Sequence, residues 1–367
     1  MSADRKILIL TNYYGGLYSF RKEVVKALVD AGFWVTLAVP PANDAKEAYF
    51  REIGCETIPV RMERRGTNPL SDLALLRRYV KLIRSINPVA VLTYTIKPNV
   101  YGGIAARLCG VPQLANITGL GDAIENPGLL RRLTIAMYRV GLKKARVVFY
   151  QNISIQEFCR GNRIGGRGIL LPGSGVNLGW HTLQEYPPEG GAMRFNFIGR
   201  VMKDKGVEEF FEMAAIIKAK YPEAEFHIFG ECEEHYERRL GELQDRGVLV
   251  WHGPVPDVRP FMKDAYATVH PSYHEGMANV LLESDAAGRP VITSDINGCR
   301  EAVDDGVTGF LCRAKDVRDL TDKVERFINL PYDEKVRMGL AARKKVEREF
   351  DRRLVVEAYM REIDGIK

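Results

Sequence analysis

Short apolar runs alternate with amphipathic segments along the first half of the chain. Residues 6–11 form an apolar run bounded by turn residues, and residues 18–31 repeat apolar side chains at helical spacing. Further strands are expected at 33–39, 56–60, 89–94, 113–117 and 146–151, with helices between them. This order predicts a parallel, doubly wound sheet that binds ligands at the carboxyl ends of its strands.

The second half repeats the alternation. Strands are expected at 195–198, 225–229, 248–251, 267–270, 291–293 and 310–311, and the tail from Tyr332 onward has a helical pattern. Between the two halves lie Pro187, Pro188, Gly190 and Gly191, which are typical of a linker. We therefore predict two domains, 1–187 and 188–350, followed by a C-terminal helix at 351–367.

Charge is distributed unevenly between these halves. Residues 1–190 contain 25 Lys and Arg against 14 Asp and Glu, whereas residues 191–367 contain 28 against 33. A basic first half indicates an anionic partner, although ordinary solvated charge explains the same imbalance. No apolar run reaches the roughly 18 residues of a spanning helix, and residues 6–10 are too short for a signal peptide. The sequence thus predicts a cytoplasmic chain.

Two helices of the first half have a basic face and an apolar stripe. Residues 73–86 place Arg77, Lys81 and Arg84 on one side, and residues 129–144 do the same with Arg132, Arg139 and Lys143. Together with Arg61, Arg64 and Arg65, this charge favours an anionic membrane surface as a partner. The apolar stripes are expected to pack on the sheet; they are Leu73, Leu76, Val80 and Ile83, and Leu130, Leu133, Met137 and Val140.

The stretch 270–283 runs from a strand end through a glycine-containing turn into a helix. A helix that begins near Gly276 leaves the backbone N–H groups of Gly276, Met277, Ala278 and Asn279 free to bind an anion. Glu275 and Glu283 would then lie roughly 10 to 12 Å apart along the helix axis. Two acids at that separation can bind hydroxyls while the amides hold a phosphate.

A second stretch, 195–206, supplies cations. Its strand ends at Gly199, its helix starts near Gly206, and Arg200 and Lys205 lie between them. A guanidinium and an ammonium beside a flexible turn can neutralise a departing diphosphate. Because the sequence contains no Asp-x-Asp and no His/carboxylate cluster with metal spacing, we expect no metal here, and these cations take over its role.

These motifs, followed by the Gly-Arg-Pro-Val-Ile run at 288–292, resemble the retaining glycosyltransferases of family 4. The resemblance implies the GT-B fold, α/β, with two Rossmann-like doubly wound domains facing each other across a cleft. It implies an acceptor-binding domain at 1–187, a nucleotide-sugar-binding domain at 188–350 and a last helix that crosses back to the first domain. The implied co-substrate is a UDP-sugar, with no further cofactor.

The resemblance also implies residue roles. The catalytic set is Arg200, Lys205 and Glu275, with Glu275 contacting hydroxyls of the transferred sugar and Glu283 binding the ribose. The donor-binding set adds Gly15, Gly16, Gly199, Gly276, Met277, Ala278 and Asn279. Independently, the glycines at 15 and 16 suit a loop that approaches a phosphate, or simply a tight turn; the loop lacks the three spaced glycines of a dinucleotide site.

Two further strand ends resemble the corresponding segments of family members that act on polyprenyl-diphosphate-linked saccharides. They are residues 93–103 and 116–121, and the implied acceptor contacts are Lys97, Asn116 and Thr118. Lys97 would meet the acceptor diphosphate, although it also fits a surface position before a proline turn. Many family members have a histidine near the sugar, whereas this strand end has Asn116 and Thr118, so a catalytic histidine is not carried over.

The resulting hypothesis is a metal-independent hexosyltransferase at the inner face of the cell membrane. It moves an N-acetylhexosamine or a hexose from a UDP-sugar to a polyprenyl-diphosphate-linked glycan during assembly of a cell-surface polysaccharide or a glycoprotein glycan. Nucleic acid is not an expected partner. Two alternatives stay open: a nucleotide-sugar epimerase of the same fold, and a non-catalytic protein that binds lipid-linked glycans.

Overall fold

The computed structural model describes residues 5–42, 44–62, 68–119, 128–233 and 235–366. Arg64, Arg65 and Gly121, which the sequence analysis used, lie outside these ranges. The chain divides into two compact units, residues 1–174 with 352–367, and residues 175–351. Each unit is a parallel sheet covered by helices, so the predicted doubly wound α/β class is confirmed.

The first unit contains a seven-stranded sheet with the order β3-β2-β1-β4-β5-β6-β7, in which all paired strands are parallel. Its strands are β1 (Lys6–Leu10), β2 (Trp34–Val39), β3 (Glu56–Pro59), β4 (Ala90–Tyr94), β5 (Gln113–Ile117), β6 (Val147–Tyr150) and β7 (Gly168–Leu170). Its helices up to residue 174 are α1 (Tyr14–Asp30), α2 (Ala45–Glu52), α3 (Pro69–Ile86), a π-helical turn (Pro98–Gly102), α4 (Gly103–Leu108), α5 (Leu129–Gly141) and α6 (Ile153–Gly161).

The second unit contains a six-stranded parallel sheet with the order β10-β9-β8-β11-β12-β13. Its strands are β8 (Met193–Ile198), β9 (Ala224–Phe229), β10 (Val250–Trp251), β11 (Ala267–His270), β12 (Val291–Ser294) and β13 (Gly309–Cys312). Its helices are α7 (Val207–Lys220), α8 (Glu237–Asp245), α9 (Arg259–Lys263), α10 (Asn279–Ala286), α11 (Val317–Ile328) and α12 (Tyr332–Glu349), with 3₁₀ turns at Lys203–Lys205 and Arg300–Ala302.

The last helix, α13 (Arg352–Asp364), belongs to the first unit. Tyr359 stacks on Phe149 with ring centroids 4.2 Å apart, and Arg352 donates to the Glu23 carboxylate at 3.0 Å. Both contacts are made within that unit. Stacking and a charge-assisted hydrogen bond thus fix the end of the chain on α1 and β6.

The linker lies elsewhere than the sequence indicated. Residues 175–187, which we expected in the first domain, belong to the second unit. The Val176 N–H donates to the Phe350 carbonyl at 2.8 Å, and the buried Arg289 guanidinium donates to the carbonyls of Gln184 and Glu185. The prolines and glycines at 187–191 therefore lie in a loop within the second unit and not between the two units.

The structure differs from the prediction at three elements. Helix α1 begins at Tyr14, so Gly15 and Gly16 lie in its first turn and not in a loop before it. Strand β7 was not predicted, because three residues carry too little periodicity. The apolar stripe expected to anchor α5 on the sheet is largely exposed, since that helix buries Thr134, Ile135, Tyr138 and Gly141 instead.

All six cysteines are free thiols, and Cys55, Cys159, Cys299 and Cys312 are buried. Among the helices that the structure describes, none combines the length and apolar character needed to cross a bilayer.

Asp285 is an ionisable group enclosed between α10 and α12. It is fully buried, and neither carboxyl oxygen has a hydrogen-bond partner among the described residues. Burial raises the pKa of Asp285 well above its ordinary value, although the charge of Lys345 partly opposes this. The Asp285 carboxyl therefore binds its proton more tightly in the folded chain than in the unfolded chain.

We expect Asp285→Asn to raise the melting temperature by at least about 2 °C at pH 8, and by less at pH 5. A folded-state pKa above the unfolded one means that stability is lost as pH rises through the folded pKa. The amide does not titrate, so the variant escapes that loss. Thermal unfolding at both pH values checks this, and a gain that does not change with pH would contradict a raised pKa for Asp285.

Candidate functional site

A charged cluster lies at the carboxyl ends of β8 and β11. Lys205 Nζ is 2.5 Å from Glu275 Oε1, and His270 Nε2 is 2.8 Å from the same oxygen. Lys205 ends the 3₁₀ turn after β8, His270 is the last residue of β11, and Glu275 follows in the loop before α10. The His270 side chain is 2% exposed and that of Glu275 12%, so the cluster is largely withdrawn from water.

Hydrogen bonds and close backbone packing hold the two loops of this cluster together. The Tyr273 N–H donates to the Asp204 carbonyl at 2.9 Å, and the Tyr273 hydroxyl donates to Glu209 at 2.6 Å. Gly206 has φ +70°, and a Cβ there would lie 2.0 Å from the Pro271 carbonyl oxygen. Only glycine allows this approach, which brings Lys205 within reach of Glu275.

A third loop, after β12, supports Glu275 from another side. Gly298 has φ +84°, and a Cβ there would lie 2.5 Å from the Glu275 carbonyl oxygen. The Gly298 carbonyl accepts from the Ala278 N–H at 2.8 Å, while its own N–H donates to Glu301 Oε2 at 2.7 Å. Three strand-end loops therefore converge on Glu275.

The cluster keeps Glu275 ionised. Burial works to raise the pKa of Glu275, but the hydrogen bond and charge of His270, together with Lys205, lower it to about 2. In the described part of the chain, the hydrogen bonds to this carboxylate reach Oε1, which leaves Oε2 as an acceptor. Such an oxygen suits the hydroxyl of a polyhydroxylated ligand.

The structure brings Lys205 to this cluster but gives Arg200 a different partner. Arg200 lies on the loop after β8, and its NH1 is 3.0 Å from Glu233 Oε1. Both side chains are exposed, so solvent screens this pair. The Gly199 carbonyl packs against Gly230, and a Cβ added to Gly230 would lie 1.9 Å from the Gly199 carbonyl oxygen.

The predicted anion site at the start of the Glu283 helix needs correction. Helix α10 begins at Asn279 and not near Gly276, and the Ala278 N–H is already bound to Gly298. Met277 and Ala278 bury their side chains in the core. The predicted phosphate contact of the Ala278 amide is therefore wrong.

Glu283 is the fifth residue of α10, which places it about one turn inside the helix where we expected two. Glu283 Oε1 lies 4.0 Å from His181 Nε2. His181 was not among the predicted site residues, because it lies in segment 175–187 and no sequence pattern links that segment to α10.

The residues predicted to bind the acceptor lie in the first unit, along β5 and after β4. Lys97 Nζ is 2.7 Å from Asp72 Oδ1, and both side chains are mostly buried. The Tyr101 hydroxyl donates to the other Asp72 oxygen at 2.8 Å. Asn116 is fully buried in β5, whereas Thr118 is exposed just after it.

Lys97 is thus part of a buried ion pair, contrary to the alternative of an unengaged surface residue. No sequence pattern indicates Asp72 as its partner, because the two residues are 25 positions apart. Gly15 and Gly16, at the carboxyl end of β1, place their backbone in the first turn of α1, where no side chain caps the helix.

Comparison with known proteins supplies the family. Residues 192–329 match a family model described as glycosyl transferases group 1, and residues 6–152 match one described as glycosyl transferase 4-like. The capsular polysaccharide biosynthesis glycosyltransferase CapM of Staphylococcus aureus is 31% identical over 344 residues, which cover 86% of each chain. The chain belongs to the group 1 glycosyltransferases of family 4.

A further relative of this glycosyltransferase matches nearly end to end. It is the N,N'-diacetylbacillosaminyl-diphospho-undecaprenol alpha-1,3-N-acetylgalactosaminyltransferase of Campylobacter jejuni, 26% identical over 98% of this chain and 99% of its own.

Solved structures support the GT-B fold of this family 4 glycosyltransferase. A glycosyltransferase from Rickettsia africae aligns with TM-score 0.82 at 16% identity, over 100% of this chain and 99% of its own. Anabaena HepE, solved in complex with UDP and glucose, aligns with TM-score 0.79 at 16% identity, over 98% and 100%. At these identities the likeness establishes the fold alone.

In this glycosyltransferase, we expect Glu275→Gln to lower the free energy of unfolding at pH 7 by about 2–3 kcal/mol. Because folding lowers the pKa of Glu275, its charge stabilises the folded state fully at pH values above the ordinary pKa of 4.5. That stability is lost as the pH falls toward 2. The difference between variant and wild type should therefore shrink below pH 4.

Urea unfolding at pH 7 and at pH 3 measures the effect. Glu233→Gln, which removes the carboxylate of the exposed pair with Arg200, is the matched control and should cost less than about 1 kcal/mol. An equal cost for the two variants at pH 7 would contradict the assigned electrostatics.

Proposed function

We propose that this glycosyltransferase moves an N-acetylhexosamine or a hexose from a UDP-sugar to a polyprenyl-diphosphate-linked glycan, in assembly of a cell-surface polysaccharide or a glycoprotein glycan. Two relatives support the acceptor class. The C. jejuni enzyme is named for a diphospho-undecaprenol-linked sugar, and CapM is named for capsular polysaccharide. The UDP complex of HepE, which has the same fold, supports a uridine nucleotide as donor.

The observation that carries the donor site is the contact of Lys205 with the ionised Glu275. In the proposal, Glu275 Oε2 accepts from hydroxyls of the transferred sugar, while Lys205 directs its remaining N–H groups to the diphosphate. Glu283 binds the ribose. Gly199, Gly276, Met277 and Asn279 line the donor through their backbone.

The proposed chemistry is front-face substitution with retention. The acceptor hydroxyl attacks the anomeric carbon from the side on which UDP leaves, the bond from that carbon to the phosphate oxygen breaks, and the departing phosphate takes the hydroxyl proton. Lys205 and Arg200 neutralise the charge that develops on the diphosphate. Arg200 does so by exchanging Glu233 for the ligand, which costs little because both side chains are exposed.

The acceptor diphosphate is proposed to bind in the first unit at Lys97, Asn116 and Thr118. Lys97 reaches this anion by keeping one N–H on Asp72 and directing another outward. The basic first half attracts the anionic membrane surface in which such an acceptor resides. We accordingly propose peripheral attachment at the inner face of the membrane.

We expect Lys205→Ala to lower turnover by a factor of about 10²–10³, the usual effect of removing one preorganised donor from a developing negative charge. Arg200→Ala should lose a similar factor. Lys203→Ala, which removes an exposed cation from the same turn, is the control and should stay within about twofold. Steady-state rates of UDP release measure all three. Wild-type turnover in Lys205→Ala with intact folding would refute the assignment.

Product analysis separates the proposal from its two rivals. Wild-type protein is incubated with a panel of UDP-sugars and lipid-diphosphate saccharides, with and without EDTA. We expect UDP release together with a lengthened lipid-linked glycan, and activity that persists in chelator. Conversion of the donor sugar without any lipid-linked product would establish an epimerase, and acceptor binding without UDP release would establish a binding protein.

A further inference from the structure

Helix α5 (Leu129–Gly141) has three rows of side chains: a buried row, an exposed apolar row and a basic row. An ordinary surface helix has only a buried apolar row and an exposed polar one. One stripe is buried in the first unit and consists of Thr134, Ile135, Tyr138 and Gly141. The side opposite this stripe points directly away from the protein. Its residues at i, i+4, i+7 and i+11 are Leu129, Leu133, Ala136 and Val140.

This outward ridge is apolar and exposed. Leu129 is 83% exposed, Leu133 53% and Val140 50%, and the neighbouring Leu130 is 51% exposed. Single exposed leucines are common on protein surfaces, but a continuous apolar row on one helix marks an interaction surface. The buried stripe already anchors α5, so the ridge contributes nothing to the core.

Cations border the ridge. Arg132 lies on the adjoining stripe, and Arg139 lies beside it with its Nε donating to the Asn162 carbonyl at 2.6 Å. The exposed Lys143 follows in the turn just after the helix. Helix α5 contains no Asp or Glu. An outward apolar face with arginines and lysines along its margin is the pattern of a helix that lies in the interface of an anionic bilayer.

Helix α3 (Pro69–Ile86) continues the surface. Both helices pack against the π-helical turn and α4, so they lie on the same side of the sheet. Leu70 is 79% exposed and Leu73 is 43% exposed within the first two turns of α3, and Arg77, Lys81 and Arg84 follow along the same outward face. Because each helix runs antiparallel to the strands, the exposed leucines of both first turns lie at the carboxyl edge of the sheet.

We infer that Leu70, Leu73, Leu129, Leu130 and Leu133 insert into the headgroup and upper acyl region of an anionic lipid bilayer, with the basic residues of α3 and α5 on its phosphates. The inference deepens the proposed function, on which it rests for the presence of a lipid-linked acceptor. Lys97 and Thr118 lie at the same edge of the sheet, because they follow the carboxyl ends of β4 and β5. Insertion at this edge therefore brings the membrane to the predicted acceptor residues.

A second copy of the chain fits this surface less well. Two copies that meet through α5 would bring Arg132 and Lys143 of one near the same residues of the other, and like charges across an interface oppose association. An anionic headgroup layer offers the opposite charge along the whole margin and an apolar phase for the ridge.

Vesicle co-sedimentation tests the inference. The full chain is mixed with phosphatidylglycerol vesicles and, separately, with phosphatidylcholine vesicles. We expect wild type to bind phosphatidylglycerol vesicles, and Leu129→Ser/Leu133→Ser to lower the partition coefficient by about tenfold or more. Arg77→Gln/Arg132→Gln should lower binding to phosphatidylglycerol and flatten its dependence on salt.

Matched changes elsewhere serve as controls. Ile216→Ser/Leu340→Ser removes two similarly exposed apolar side chains from the second unit, and Arg238→Gln/Arg318→Gln removes two exposed cations there. Both controls should bind vesicles as wild type does. Unchanged binding by the leucine variant would overturn the inference. So would a lipid-free wild-type dimer that the leucine variant converts to a monomer in light scattering, because the ridge would then be a contact between copies.

Transfer to a water-soluble acceptor separates this inference from the proposed function. With a short-chain prenyl-diphosphate saccharide and no vesicles, the leucine variant should turn over at the wild-type rate. If wild type fails to glycosylate any such acceptor yet binds vesicles through the ridge, the proposed function fails while the membrane surface stands.

Discussion

The second unit depends on one buried carboxylate and the two side chains that keep it charged. Glu275 is largely buried in its loop, where an unpaired anion would be strongly unfavourable. Lys205 and His270 both contact its Oε1 and so compensate for the lost hydration of the carboxylate. Because those partners come from different strand ends, the ionised state of Glu275 requires both loops to be in place. The left-handed glycines at 206 and 298 allow this, since a side chain at either position would separate the backbones.

The position of the cluster follows from the topology of the sheet. In the order β10-β9-β8-β11-β12-β13, the direction of strand addition reverses between β8 and β11. Loops that leave adjacent strands in opposite directions open a crevice at their carboxyl ends, and Lys205 and Glu275 occupy the loops on either side of this point. The first sheet reverses between β1 and β4, where Gly15 follows one strand and Lys97 the other. In each unit, the residues that the sequence motifs single out fall where the fold itself provides a crevice.

Lys205 and Glu275 were assigned to one site through the family resemblance. Local pattern was sufficient for every strand except the three-residue β7, because the other strands lie in apolar runs. It failed where a distant partner decides the outcome. Helix α10 begins three residues later than predicted, and the Ala278 amide just before it donates to the carbonyl of Gly298, twenty residues further along the chain. The stripe of α5 was misassigned because that helix has two apolar sides, and periodicity does not say which one faces the sheet. The pairing of Lys97 with Asp72 likewise arises only from the tertiary fold.

The three cations assigned to diphosphates differ in how firmly their carboxylate partners hold them. Arg200 and Glu233 are both exposed, so solvent weakens their attraction and an incoming diphosphate can displace the carboxylate. Lys205 and Lys97 are held in mostly buried pairs, which are costly to break. An ammonium has three N–H groups, however, and can keep its carboxylate while directing another proton to a phosphate. On the proposed function, the lysines are therefore fixed, preorganised charges, and Arg200 is the cation that is free to follow the leaving group.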